Sequence, residues 1–308
     1  MVKNEHTFII KKQMNTIAEE TKENYLSYYK NHIGPKLGTL NIRKISPIIV
    51  QEFVYSLERK KLASSTVKRI YTIVRASLQY AVKMQILTLN SADLIEKPKE
   101  NRTREVKVWD KQQVRIFLDS IENASRYTIA YKLAIFTGMR QGEILGLRWQ
   151  DINFVKKYLK IQQKLTHKGK LKYGAKNKTS MRSVSLSDYI LNELIKHKEI
   201  IELEKIKYNK EYNNNDLVIC TEYGNACHPR NLLRLLYSHI KKTNLPRIRF
   251  HDFRHTHASL LLEADVNIKI ISERLGHSSI KITLDTYLHL LPNMQQEASE
   301  KFEELLKV

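Results

Sequence analysis

Three features of this 308-residue sequence predict a mainly helical chain with a small antiparallel sheet, an α+β fold divided into two domains. Apolar residues recur at helical spacing through most of the chain. One stretch, Tyr158–Leu186, instead alternates apolar and polar residues in short runs. A polar, charged, non-periodic segment from Lys97 to Lys107 separates two periodic regions and has the composition of a linker.

Residues from about Thr16 to Ala92 read as helices with basic faces. An early helix around Glu20–His32 carries Tyr25, Leu26 and Tyr29 and stops at Gly34-Pro35, a strong breaker. Ser64–Met84 has the clearest period, with Val67, Ile70, Tyr71, Val74, Leu78, Ala81 and Val82 on one stripe. Ser64 or Ser65 is positioned to cap it. Lys68, Thr72, Arg75 and Gln79 share another face, which makes Lys68 and Arg75 candidate phosphate contacts; a solvated helix face is the competing reading. After the linker, Asp110 caps a helix that buries Val114, Phe117, Leu118 and Ile121. In the strand-like region Leu159, Ile161 and Gln163 alternate with polar neighbours, Val184 and Leu186 do likewise, and a Gly- and Lys-rich turn lies between. Helices then continue to an acidic, amphipathic tail, Glu297–Val308, whose Phe302, Leu305 and Leu306 form one apolar side. The expected division is 1–98, a linker at 99–108, and 109–308.

Charge narrows the function. Lys and Arg outnumber Asp and Glu 53 to 32, a formal net charge of +21 spread along the chain. Such an excess favours a polyanionic partner, because each neutralised phosphate releases condensed counterions. Charge alone also fits ribosomal, RNA-processing and membrane-surface proteins. Cys220 and Cys227 are the two cysteines, too few for a disulfide framework, and a reducing cytosol is expected. No apolar run approaches a membrane span, and Lys3, Glu5, Lys11 and Lys12 break up any leader-like core. The expected location is therefore the cytoplasm, with no membrane partner.

Four segments carry chemistry. In Thr137-Gly-Met-Arg-Gln-Gly-Glu-Ile-Leu-Gly-Leu-Arg-Trp-Gln-Asp151, Gly138 and Gly142 permit an unusual backbone path, and Arg140 sits between them at a helix entry. A guanidinium there offers a planar fork that matches two phosphate oxygens. In His251-Asp-Phe-Arg-His-Thr-His257, His251 and Arg254 are i and i+3 and project from one helical face. In Leu275-Gly-His-Ser-Ser-Ile280, Gly276 ends a helix and His277 follows at once. Thr286-Tyr287 closes the short helical pattern begun at Ile280.

These motifs, in this order and spacing from about Trp109 to Leu290, closely resemble the tyrosine recombinase family of the phage-integrase type. Residues 16–98, notably His32-Ile-Gly-Pro-Lys-Leu-Gly38, also resemble that family's helical core-DNA-binding domain. The resemblance implies a two-domain, C-shaped DNA clamp and an enzyme without a cofactor or metal. It implies that Tyr287 attacks a phosphodiester, forming a 3′-phosphotyrosyl bond and releasing a 5′-hydroxyl, so that no ATP is needed. Arg140 and Arg254 fall on the family's phosphate-clamp positions, each able to contribute on the order of 3 kcal/mol to a charged transition state. His251 falls on the general acid/base position, able to help deprotonate Tyr287, and His277 on a hydrogen-bond donor to the phosphate. A phenol with a pKa near 10 needs such help at neutral pH. In Ala175–Leu186 the resemblance assigns the general acid for the leaving 5′-oxygen to Lys178, with Lys176 as the alternative.

It further implies double-stranded attachment sites, a homotetramer on DNA, possible DNA-bending accessory factors, and a tail that docks on a neighbouring protomer or on its own. An additional arm-site-binding domain, which larger integrases carry, is left open. The residues admit other readings. His251, His255 and His257 invite a zinc site, but a usual third ligand is lacking nearby and the family pattern accounts for His251. His255 and His257 are expected to pack or hydrogen-bond, Glu143 and Asp151 to orient the first arginine, and Trp149 and Leu147 to fill the core. Integration of a mobile element is preferred over a Xer-like resolution role or a type IB topoisomerase-like activity. A non-catalytic DNA-binding regulator would not need all six of Arg140, Lys178, His251, Arg254, His277 and Tyr287. An RNA-associated basic protein is the remaining reading.

Overall fold

The computed structural model describes residues 19–99, 106–174, 181–287 and 294–306. The chain divides into two compact units, Met1–Arg104 and Glu105–Val308. The fold is mostly helical with small antiparallel sheets. Among the described residues no helix is long and apolar enough to cross a membrane.

In the first unit, α1 (Glu19–Tyr28) runs into a π-helical turn, Tyr29–Ile33, closed by the Gly34 amide donating to the Tyr29 carbonyl. Helix α2 (Pro47–Arg59) begins cleanly: the Ser46 hydroxyl accepts from the Ile49 N–H, and Pro47 occupies a first-turn position whose missing N–H would have had no helical partner. Helix α3 (Ser64–Lys83) buries Val67, Ile70, Tyr71, Val74, Leu78 and Ala81 against Val50, Phe53, Val54 and Leu57 of α2. The predicted stripe is present. Its cap differs: Ser64 is already helical, Ala63 is the boundary residue, and no side chain caps this end. Ala63, at the boundary position, has no side-chain acceptor to offer the free N–H groups of the first turn.

The second unit opens with α4 (Lys111–Ile121), whose Asp110 and Gln113 exchange side-chain-to-backbone bonds in a capping box. Helices α5 (Thr128–Thr137) and α6 (Gln141–Leu145) lead to the strands. These are β1 (Ile152–Asn153), β2 (Tyr158–Ile161), β3 (Gln163–Leu165), β4 (Leu171–Tyr173) and β5 (Arg182–Ser185). They form two antiparallel sheets, ordered β1-β2-β5 and β3-β4, where the sequence predicted one. The alternation is as read: Leu159 pairs with Val184 and both are buried, while Lys160 faces out. Helices α7 (Asp188–Tyr208), α8 (Pro229–Thr243), α9 (Asp252–Glu263), α10 (Ile268–Leu275), α11 (Ile280–Tyr287) and α12 (Met294–Leu306) complete the unit.

An aromatic cluster ties the unit's distant segments together. The Phe117 ring lies 5.0 Å from Trp109, 5.4 Å from Phe253 and 5.7 Å from Tyr131. The Trp109 backbone N–H donates to the Thr256 hydroxyl and its indole N–H to the Pro246 carbonyl. Entry into α4 is thereby fastened to α9. Removing the Phe117 ring leaves a cavity at the centre of this cluster, at a typical cost of about 3–5 kcal/mol. Both tryptophans lie in this unit, so their fluorescence reports on it alone. Phe117→Ala is expected to lower the unfolding free energy from urea titration followed by tryptophan fluorescence by about 3–5 kcal/mol; an unchanged midpoint would show that the cluster is not cohesive.

Candidate active site

The site begins with a turn that only glycine can make. Helix α5 ends at Gly138 in the left-handed conformation (φ 64°), and a Cβ there would come within 2.7 Å of the His257 and Leu275 side chains. The turn brings Arg140 to the entry of α6 and leaves the Gly138 carbonyl accepting from Arg254 Nη1 at 2.9 Å. Gly142 serves a different purpose from the one its sequence predicts. Its φ is not positive; a Cβ would instead meet the Leu165 carbonyl oxygen of β3 at 2.7 Å.

Glu143 is the anionic centre. Its carboxylate accepts from the Arg140 backbone N–H at 3.0 Å and pairs with Arg140 Nη1 at 2.9 Å. On the other side Arg182 delivers both terminal nitrogens to the same carboxylate, at 3.0 and 3.2 Å. Burial alone would raise this carboxyl; the Arg182 and Arg140 charges outweigh it and hold its pKa below the ordinary value. Arg182 Nε donates to the Arg274 carbonyl, binding β5 to the end of α10. Asp151 was expected to help orient the first arginine. It pairs instead with Arg148, through two bonds of 2.9 Å, because Arg148 is its i−3 neighbour at the entry to the sheet.

Arg254 is the exceptional residue. It is 2% exposed, its Nη1 is used by Gly138, and its Nη2 is buried with no hydrogen-bond partner. Burial lowers its pKa, and the neighbouring charges of Arg140 and Arg182 lower it further, to about 9. A buried, incompletely paired guanidinium facing two more cations is costly unless an anion completes it. Glu143 pairs with Arg140 and Arg182 and only influences Arg254 from a distance, so three cations face one carboxylate and the local charge is positive.

Four histidines border this charge. His251 stands at the start of α9, exposed to solvent, with its ring 5.1 Å from and nearly perpendicular to that of His255. Partial desolvation and the Arg254 and Arg140 charges keep its pKa below the ordinary value. His277 follows Gly276, which closes α10 at φ 66°, and its Nδ1 lies 2.8 Å from the buried Thr283 hydroxyl. Burial, then Arg254, Arg140 and Arg182, bring His277 down to about 4. His257 is structural: its Nδ1 is 2.8 Å from the Ile135 carbonyl and its Nε2 accepts from Arg274.

Tyr287 is the last residue of α11 and has no exposed surface; it packs in a cluster with Ala258, Leu262, Ile271 and Leu275. Burial raises its pKa to about 12, against a lowering influence from Arg254. Its hydroxyl lies 2.8 Å from Nδ1 of His255, not from His251. His255, Arg182 and Arg274 were not singled out as site residues by the sequence reading. His255 had a legible signal, since it follows Arg254 and is i+4 from His251; Arg182 and Arg274 had none of that kind.

Lys178 and Lys176 lie outside the described residues. Lys68 and Arg75 lie in the other unit, on α3, where Arg75 is paired with Asp93. On α12, Phe302, Leu305 and Leu306 are exposed. Among the described residues no group of three or more His, Cys, Asp or Glu is arranged to hold a metal.

Residues 107–294 match the Phage integrase family, and residues 8–57 match the phage integrase N-terminal SAM-like domain. The chain is 29% identical to a XerC-like tyrosine recombinase of Caldanaerobacter subterraneus, over 97% of this chain and 82% of that one. It is also 29% identical to the ICEBs1 integrase of Bacillus subtilis, over 93% and 79%. A solved Tn1549 transposon integrase in complex with a circular intermediate DNA superposes with a TM-score of 0.80 at 18% identity, over 96% of this chain and 99% of that one. That likeness is one of fold.

The neutral histidines have a consequence for stability. His255, His257 and His277 have folded pKa values of about 4, 3 and 4, against 6.5 for a free imidazole. The unfolded chain therefore binds more protons than the folded one between about pH 6.5 and 4. Their contribution is intact above pH 6.5 and is lost as the pH falls toward the folded values. The fluorescence-detected urea midpoint of this unit is expected to drop steadily from pH 7 to pH 4.5, and a level midpoint would contradict neutral buried imidazoles.

Proposed function

This chain belongs to the phage integrase family of tyrosine recombinases, and from that premise we propose that its site breaks and rejoins DNA through Tyr287. The observation that carries this reading is Arg254: a buried guanidinium with a free donor, beside Arg140 and Arg182, bordering the pocket of one buried tyrosine. A phosphodiester supplies the missing anion, and its two non-bridging oxygens can each meet an arginine. Transition-state charge then develops where fixed donors already point.

The Tyr287 oxygen attacks phosphorus, forming a 3′-phosphotyrosyl bond as the bond to the 5′-oxygen breaks. The 5′-oxygen leaves with a proton from Lys178, or from Lys176. His277 donates to a phosphate oxygen, and His251, at the exposed mouth of the site, exchanges protons there. Strand joining is the reverse, with the 5′-hydroxyl of a second DNA as attacker. The covalent bond conserves the phosphodiester's energy, so no energy source is consumed. Two duplex attachment sites and four copies of the chain complete the exchange. Lys68 and, once released from Asp93, Arg75 supply phosphate contacts from the first unit.

Integration of a mobile element is the preferred role, in keeping with the integrase among the relatives. The XerC-like relative favours a second reading, resolution between like sites. Joining of two unlike sites separates the first from the second.

The test uses nicked duplexes carrying a sequence that the protein itself selects from a random pool. On denaturing gels the wild-type chain is expected to give a covalent protein–DNA band that Tyr287→Phe lacks. Arg254→Lys, which keeps charge but loses the fork, is expected to slow the band's appearance by on the order of 10²-fold. Absence of a band on DNA that the wild type binds would sink the enzyme reading in favour of a DNA-binding regulator.

A further inference from the structure

We infer that His255 takes the proton from Tyr287 during strand cleavage and returns it during rejoining. This rests on the recombinase reading above and assigns its proton transfer at the nucleophile to a residue other than His251.

The geometry is direct. Nδ1 of His255 is 2.8 Å from the Tyr287 hydroxyl, within the range for a strong hydrogen bond, and the two rings are 5.7 Å apart. No other side chain among the described residues is hydrogen-bonded to that hydroxyl, and the phenol is wholly buried, so bulk water does not reach it. In the tautomer that carries its proton on Nε2, His255 accepts from the phenol, and this assignment makes Nδ1 the base. His251 has no comparable contact; its ring meets the His255 ring from the solvent side.

The surroundings suit a neutral base. Burial holds the His255 pKa down to about 4, with His251, Arg254 and Arg249 lowering it and Asp252 raising it. The imidazole is thus unprotonated at neutral pH, and as a weak base it holds the phenol's proton only when the desolvation and the cations that depress it are offset. Arg249 and Asp252 are bound to one another at the start of α9, which leaves Asp252 largely neutralised. A proton on His255 would be unfavourable beside these cations until a phosphate brings negative charge to Arg254. The arrangement therefore couples deprotonation of Tyr287 to the presence of DNA.

The balance closes. As the Tyr287 oxygen bonds to phosphorus, its proton moves to His255 Nδ1, giving an imidazolium. The 5′-oxygen leaves with a separate proton from the general acid. On rejoining, the incoming 5′-hydroxyl gives up its proton to that group, the phosphotyrosyl bond breaks, and His255 returns its proton to the phenol.

The test is single-turnover cleavage of the nicked duplex by H255Q and H255A, with DNA affinity measured alongside. Glutamine fills the imidazole's space and keeps an acceptor near the phenol, but it cannot hold a proton. It therefore separates proton uptake from positioning, and it remains informative if alanine perturbs folding. A second substrate replaces the bridging 5′-oxygen by sulfur, a leaving group that needs no general acid. The expected result is unchanged duplex binding with cleavage by H255Q slowed about 10²-fold or more. That deficit should persist on the sulfur substrate and shrink as pH rises. Replacing Tyr287 in H255Q by a fluorinated tyrosine, a more acidic phenol, should recover much of the rate. Cleavage by H255Q within a few-fold of wild type, or a deficit that the sulfur substrate removes, would overturn this inference alone. Absence of a Tyr287-dependent adduct from the wild type would overturn the recombinase reading and this inference with it.

Discussion

The buried guanidinium of Arg254 is the constraint on which the second unit's site depends. Charged groups are almost never buried unless paired, since desolvation costs several kcal/mol per ion. Here one nitrogen is satisfied by the Gly138 carbonyl, and the carboxylate of Glu143 is shared with Arg140 and Arg182. The left-handed turn at Gly138, the two-sided pairing of Glu143, and the bond from Arg182 to the end of α10 all hold this cation in place. In the function proposed above, a DNA phosphate supplies the anion that offsets this electrostatic deficit. Local conflicts of this kind belong to functional sites.

Tyr287 obeys the opposite constraint. Tyr287 is placed among Ala258, Leu262, Ile271 and Leu275, where its ionised form is disfavoured and its pKa is pushed to about 12. A phenol in such surroundings is stable and chemically quiet. Activity requires a base that is itself neutral and close, and a cation that stabilises the phenolate. In the reaction proposed above, His255 meets the first need and Arg254, from the adjacent position on α9, the second. One helical turn thus serves both halves of the reaction.

Much of the architecture was legible because it rests on local rules. The stripe of α3, the cap at Asp110, and the alternation of Leu159 and Ile161 each follow from local sequence alone. Arg140, His251, Arg254, His277 and Tyr287 were singled out by motif order, and their charges act on one another in the structure. What was not legible depends on contacts across the chain. Nothing near Arg182 in sequence signals that it reaches Glu143, thirty-nine residues earlier. Asp151 was assigned to the wrong arginine because two arginines lie within its reach in sequence and only geometry selects Arg148. His255 was expected to pack or hydrogen-bond, and it does hydrogen-bond, but its partner was not legible: the i+4 spacing told only that His251 and His255 share a face, not which one meets the phenol. Gly142 was assigned to backbone freedom when its reason is the approach of β3.

The most direct measurement is mass spectrometry of the trapped protein–DNA adduct after proteolysis, together with analysis of the DNA ends at the break. The account predicts a nucleotide joined through its 3′-phosphate to the peptide containing Tyr287, and a free 5′-hydroxyl on the other strand end. Attachment at any other of the sixteen tyrosines, or protein-free ends bearing a 5′-phosphate, would contradict it.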